Sequence, residues 1–258
     1  VVLPTGCRQA DSPEAAAPKA QEQRSRERPD SSDSTDPDAL RALANQAAQN
    51  RNLPLAIESF EHLVNIRPDD ADAWQRLGLL YIGDRQSARS VEALSKSAAL
   101  NPNDPLTLRS LGIMSLRLGR LDDAYRALRT AITRQPNDAE ARSALASVMM
   151  RLDPSPAGLA AAEQQVDTAL NIRPSGDGYN TRGQIRMAQR RFADAIQDLT
   201  YAIKLQPRTK STYLLLSQCY ASAGKPDLAR KISSEYERLA AVQAVRNGLH
   251  AATKDARR

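Results

Sequence analysis

Cysteine is nearly absent from this chain: Cys7 and Cys219 are its only 2. Two thiols cannot build a disulfide framework or, on their own, a cysteine zinc cluster. Aromatic residues make up only 4% while alanine and leucine are abundant, which favours closely packed helices over a β-sandwich. No apolar run reaches the ~18 residues that a membrane-spanning helix needs. No glycine-rich phosphate loop, Gly-x-Ser-x-Gly or metal-ligand spacing occurs. The histidines, His62 and His250, sit on polar stretches with no second ligand at a useful spacing and read as surface residues. Carboxylates read as scattered along solvent faces. The chain is therefore expected to be non-enzymatic, with no metal and no cofactor. Its net charge of +6 is mild, and no basic run is interleaved with aromatics, so no nucleic acid is expected as a partner.

What the chain has is a period. In the stretch Ala71 to Asp104, Trp74, Leu77, Gly78 and Tyr81 fall at i, i+3, i+4 and i+7, one face of a helix. Val91, Leu94 and Ala98 form a second apolar series, which Pro102 stops by lacking an N–H. The proline stops Pro68, Pro102, Pro136, Pro174 and Pro207 recur at intervals of about 34, 34, 38 and 33. They mark out units at about 37–70, 71–104, 105–138, 139–175, 176–208 and 209–252. One such hairpin cannot bury its own apolar faces, so the units are expected to stack. Small residues recur at Gly78, Gly112, Ala146 and Gly183. Glycine within a helix costs about 1 kcal/mol against alanine, so its recurrence at one register calls for a close helix contact. Asp70, Asp104 and Asp138 stand just before first helices as N-cap candidates. The fourth unit carries about four extra residues at Leu152–Pro156, expected in the connection between its helices, where insertion costs least. The sixth unit has no closing proline, and its charged second helix reads as a solvating cap, followed by a basic tail at 253–258.

This pattern of Trp/Leu, Leu-Gly, Tyr, Ala, a large residue, Ala and then Pro resembles the tetratricopeptide repeat (TPR) family over about residues 37–240. Departures are Ser90 and Ser97 where alanine is usual and Arg182 where leucine is usual. The resemblance implies an all-α fold, a right-handed superhelical solenoid of about six helix-turn-helix units within residues 38–252. Its concave groove, lined by first helices, would hold a protein or peptide. The repeat register points Arg41, Asn45, Gln75, Leu79, Arg109, Ile113, Ser143, Ser147, Asn180, Gln184, Leu214 and Gln218 toward that groove. The set is poor in acids, and arginines with amides suit an acidic or polar extended peptide. Arg41 and Asn45 match two positions of the carboxylate clamp of chaperone-binding members, but Leu106 and Ser110 stand where its later basic residues belong. Trp74 and Tyr81, at the family's core positions, are expected between helices rather than in a binding box.

Residues 1–37 read as a disordered leader. From Arg8 to Asp38 the chain has no aliphatic residue larger than alanine, too little apolar surface to offset its ordering entropy. Its acids outnumber its bases, so the body is more basic than the whole. The opening Val1-Val2-Leu3-Pro4-Thr5-Gly6-Cys7 resembles the end of a bacterial lipoprotein signal, which implies lipidation of Cys7 and attachment to a membrane. The favoured leucine three places before the cysteine is Pro4 here. The leading expectation is a membrane-tethered scaffold of the bacterial cell envelope, an assembly factor or adaptor for a protein partner. The alternatives are a soluble cytoplasmic co-chaperone or regulatory adaptor, and a non-catalytic repeat region of a larger enzyme. Against the last, the charged close Lys254-Asp255-Ala256-Arg257-Arg258 reads as a natural end.

Overall fold

Proline at helix starts, aspartate before them and a small residue in mid-helix set the local structure. The computed structural model describes residues 36–255, which form twelve α-helices and, among the described residues, no strand. The described residues separate into two compact units, the first ending at Arg67 and the second beginning at Pro68. The first unit holds one hairpin, α1 (Pro37–Gln49) and α2 (Leu53–Ile66). Leu40, Ala44 and Ala47 of α1 are buried, as are Ala56, Phe60 and Leu63 of α2. Asp36 caps α1, its Oδ1 accepting from the Asp38 N–H at 3.1 Å. His62 lies exposed on α2.

The second unit holds five hairpins. They are α3 (Ala71–Gly83) with α4 (Ser87–Leu100), α5 (Pro105–Arg117) with α6 (Leu121–Arg134), and α7 (Ala139–Leu152) with α8 (Pro156–Ile172). Then come α9 (Gly176–Ala188) with α10 (Phe192–Leu205) and α11 (Lys210–Ser222) with α12 (Pro226–Asp255). The three periodic aspartates are N-caps: Asp70, Asp104 and Asp138 accept from the N–H groups of Ala73, Thr107 and Ala141 at 3.0, 2.7 and 3.0 Å. Each such cap is worth about 1 kcal/mol. Between the helices of four hairpins one residue turns through left-handed backbone: Arg85, Gly119, Arg190 and Gly224, with φ from 60 to 76°.

Within a hairpin the closest approach is glycine against leucine. A Cβ added to Gly112 would stand 2.5 Å from Leu128 Cγ, and one added to Gly183 would stand 2.8 Å from Leu199 Cγ. The recurring glycines are thus read correctly as contact points, each second-helix leucine filling the space a side chain would take. The serines that replace alanine are buried and bonded. Ser90 Oγ donates to Gly78 O and Ser97 Oγ to Ala71 O, both at 2.9 Å. Adjacent hairpins share cores: Leu108, Leu128, Leu145 and Val148 form one cluster across α5, α6 and α7. First helices of neighbouring hairpins also touch one another, α5 with α7 and α7 with α9, so the first-helix side of this unit is its inner side.

Three expectations need correction. Trp74 is half-exposed: its Nε1–H donates to Pro68 O at 2.9 Å and the Lys96 ammonium lies 4.3 Å from its ring centre. Ala73 is the fully buried residue of that turn and Tyr81 the buried aromatic, because the core-facing stripe of α3 is narrow. The extra residues of the fourth unit do not lengthen its connection. Asp153–Ser155 is as short as Leu118–Arg120, and the surplus makes α8 17 residues long against 14 for α6.

Nor do all carboxylates face solvent. Asp198 on α10 has a side chain only 3% exposed, salt-bridged to Arg182 at 2.7 Å and Arg186 at 2.9 Å, both on α9. Arg182 also meets Asp167 at 2.7 Å and Arg186 meets Glu163 at 2.9 Å, both acids on α8. Arg191 closes the cluster on Glu163 at 2.9 Å. Burial by itself would raise the Glu163 carboxyl; hydrogen bonds from Arg186 and Gln189 and the charges of Arg191 and Arg186 outweigh it and hold it below the usual range. For Arg182, burial works against the cation, but the bonds to Asp198 and Asp167 and their charges push its pKa up. In the last hairpin Cys219 is fully buried and its thiol donates to Phe192 O at 3.4 Å. Burial pushes that thiol up, away from reactive thiolate.

Candidate functional site

The inner side of the second unit is built from one face of each first helix, and its polar residues do two different jobs. One row reaches forward to the next hairpin. Gln75 Nε2 donates to Asp104 and, at 2.7 Å, to Thr107 Oγ1. Arg109 pairs with Asp138 at 2.9 Å and more loosely with Glu140 at 3.6 Å. Ser147 and Thr181 share a hydrogen bond of 3.1 Å, and Asn180 donates to Thr212 Oγ1 at 2.7 Å. Gln184 donates to Asn180 Oδ1 at 2.5 Å. The contacts of Gln75, Arg109, Ser147 and Asn180 fasten hairpin to hairpin, while that of Gln184 stays within α9. Asp138 shows the economy of the arrangement, since one carboxylate caps α7 and receives Arg109.

Between α5, α7 and α9 the row opens into a cavity of about 540 Å³. Ile113 and Ala144 supply apolar wall, and Ser143, Ser147 and Thr181 present hydroxyls. Arg117, from the last turn of α5, and Arg173, after α8, stand at its edge. Both are exposed, and neither makes an ion pair among the described residues. Glu140, Ser175, Asp177 and Gln206 complete the polar lining. The site can therefore accept an extended chain: hydroxyls and an amide match backbone groups, and two guanidinium forks match a carboxylate.

Of the residues expected in the groove, this cavity brings together Ile113, Ser143 and Ser147. Gln75, Arg109, Asn180 and Gln184 lie on the same first helices but bond within the unit. Leu79 is half-buried on α3, while Leu214 and Gln218 are exposed on α11. Arg41 and Asn45 sit half-buried on α1 of the first unit, and neither is free. Cys7 lies outside the described residues. The sequence reading missed Arg117, Arg173, Thr181 and Gln206. Arg117 was within reach as the next turn after Ile113 on the same helix face, and Thr181 as the neighbour of Asn180; Arg173 and Gln206 follow helix ends, where periodicity carries no directional signal. Among the described residues no group of three or more His, Cys, Asp or Glu is placed to hold a metal. None of the described helices is long and apolar enough to cross a membrane.

Comparison with known proteins agrees with this architecture. Profiles described as tetratricopeptide repeat match residues 71–104 and 180–244. The TPR repeat-containing protein PA4667 of Pseudomonas aeruginosa is 38% identical over 93 residues, 35% of this chain. A peroxisomal targeting signal receptor of Candida albicans is 28% identical over 100 residues, 39% of this chain. These matches span only 16% and 17% of the two relatives. The solved structure of PilF from Pseudomonas aeruginosa superposes with a TM-score of 0.61 at 18% identity, covering 79% of this chain and 91% of that one; at such identity the likeness concerns the fold alone. Two segments of the chain thus match tetratricopeptide-repeat models, and its described residues share the all-α fold of solved tetratricopeptide-repeat proteins. That fold is generally a non-catalytic module for protein interaction.

Proposed function

We propose that the protein is an interaction scaffold that holds an extended peptide segment with acidic character on the inner, first-helix side of its second unit. The observation that carries this reading is the cavity between α5, α7 and α9, where unpaired Arg117 and Arg173 flank the hydroxyls of Ser143, Ser147 and Thr181. Arginine binds carboxylates through paired N–H donors, and hydroxyls and amides satisfy an extended backbone. One of the sequence relatives is by name a targeting-signal receptor, which fits a peptide ligand. The test is fluorescence anisotropy with peptides of matched length and differing charge. Acidic peptides bind, binding weakens as salt rises, and Arg117→Glu with Arg173→Glu abolishes it without loss of helicity. Equal binding of basic peptides, or binding unaffected by the double charge reversal, refutes the reading.

The opening segment adds a location to this proposal. The Thr5-Gly6-Cys7 sequence after Val1-Val2-Leu3 supports a lipidated Cys7 and a scaffold tethered in a bacterial cell envelope, where it would serve assembly of an envelope machine. Labelling the full precursor with a fatty acid tests this directly: incorporation that disappears in Cys7→Ser is expected, and no incorporation removes the membrane half of the proposal.

A further inference from the structure

The last hairpin is lopsided: α11 has 13 residues and α12 has 30. The Ser217 hydroxyl on α11 meets Ala229 O and the Ser233 hydroxyl on α12, each at 3.0 Å. One turn on, Tyr236 lies against Tyr213, ring centres 5.4 Å apart, and 5.9 Å from the ammonium of Lys210, the residue that begins α11. Beyond Tyr236 α12 continues to Asp255, about 28 Å at 1.5 Å per residue. Most helical stability in a protein comes from packing an amphipathic face, and Gly248 lowers what this extension has of its own. A second face of α12 offers such packing. Ile232, Glu235, Leu239, Val242, Arg246 and Leu249 follow one another at alternating steps of three and four residues, the spacing of a coiled-coil seam. Ser233 and Tyr236, which meet α11, lie one residue and so about 100° further round. Val242 is 60% exposed, Ile232 and Leu239 are half-buried, and the Glu235 side chain is 43% exposed.

We propose that this seam pairs, antiparallel, with the same seam of a second copy of the chain. Turned end for end, its register matches itself. Leu239 falls opposite the partner copy's Val242, Ile232 opposite its Leu249 and Glu235 opposite its Arg246, and a two-fold axis repeats each pairing. A parallel pair would instead set Glu235 against Glu235 and Arg246 against Arg246, like charges in an apolar seam. Within one chain Glu235 already accepts from Arg238 at 2.8 Å, and its carboxylate has lone pairs left for another guanidinium. The overlap of the two helices is about 27 Å long, short of a standard interface, so the dimer is expected to be reversible at micromolar concentration. None of the seam residues lines the cavity between α5, α7 and α9, so this inference stands apart from the proposed peptide site.

The experiment is sedimentation equilibrium of the full chain at concentrations up to about 200 µM. The average mass should climb from 28.2 kDa toward twice that value as concentration rises. Val242→Asp sets a carboxylate in the seam and should weaken association about tenfold or more. Because Val242 is exposed within one chain, circular dichroism should find its helicity unchanged. Glu235→Arg and Arg246→Glu should each stay monomeric where the native chain dimerises, since each opposes like charges. An equal mixture of those two variants should dimerise again, because every Glu then meets an Arg. A fraying helix, or a seam that serves a different protein, predicts no such recovery. A native chain that stays monomeric throughout, a Val242→Asp chain that associates as tightly as the native one, or a mixture no more associated than its components would each overturn the proposal.

Discussion

The hairpins α5–α6 and α9–α10 have the same length and the same central contact, yet they are closed by opposite chemistry. In each, a first-helix glycine lies against a second-helix leucine, Gly112 on Leu128 and Gly183 on Leu199. Around that contact α5 offers Leu111 and Ser115, whereas α9 offers Arg182 and Arg186 at the matching positions. The first hairpin is held by aliphatic packing with α7. The second is held by Asp198, Asp167 and Glu163, which receive the two arginines. The lesson is that the repeat demands one close backbone approach. The rest of the interface tolerates either apolar or ionic filling: the ionic one pairs its buried charges, and the apolar one leaves only the Ser115 Oγ buried without a partner among the described residues.

Four experiments would break or sharpen that contrast. The largest effect is expected from Asp198→Ala, which removes the carboxylate shared by two largely buried guanidinium groups, leaves each with a single acid, and should cost about 3 kcal/mol in urea unfolding. A change near zero would mean the ion cluster relaxes into solvent. Next, Gly112→Ala and Gly183→Ala should each cost about 1–3 kcal/mol, because a Cβ overlaps the facing leucine. Similar losses in both variants support one shared contact, and a harmless change in either breaks the equivalence of the hairpins. Third, Asp138→Ala should cost about 1 kcal/mol or somewhat more, since it removes a cap and frees Arg109.

The smallest effect should come from pH. The Glu163 carboxyl is held below its ordinary value of 4.5 in the folded chain. Its stabilisation is therefore fully present above that value and is lost as pH falls through the lower, folded one. The stability gap between the native chain and Glu163→Gln should narrow on acidification below about pH 4.5. A gap of constant size would show that ionisation of Glu163 is not linked to folding. The hairpin α5–α6, without such a cluster, should show no matching dependence in a Ser115→Ala control.

Much of this was legible in the residues. Asp70, Asp104 and Asp138 announce helix starts because a cap is a local bond within three residues. Gly78, Gly112 and Gly183 announce helix contacts because their cost in a helix needs a compensating one. Other features were hidden. Arg182 looked like a defect in a leucine position, since its partners Asp167 and Asp198 stand a hairpin's depth away in sequence. A third of the expected groove residues, Gln75, Arg109, Ser147 and Asn180, proved to bond to the next hairpin. Inward direction follows from helix periodicity, but whether an inward polar group meets a ligand or a neighbour depends on what that neighbour presents.

The sequence by itself determined the helices, their pairing and the repeat, because caps, stops and apolar stripes act over a few residues and recur at a fixed interval. Only the tertiary structure decided how the polar residues are used. It joined Arg182 to Asp198, occupied Arg109 with Asp138, and left Arg117 and Arg173 unpaired at the edge of an inner cavity. It also buried the Ser115 Oγ with no hydrogen-bond partner among the described residues. The physical reason is that an ion pair or a cavity belongs to the space between helices, and that space exists only once neighbouring hairpins have packed.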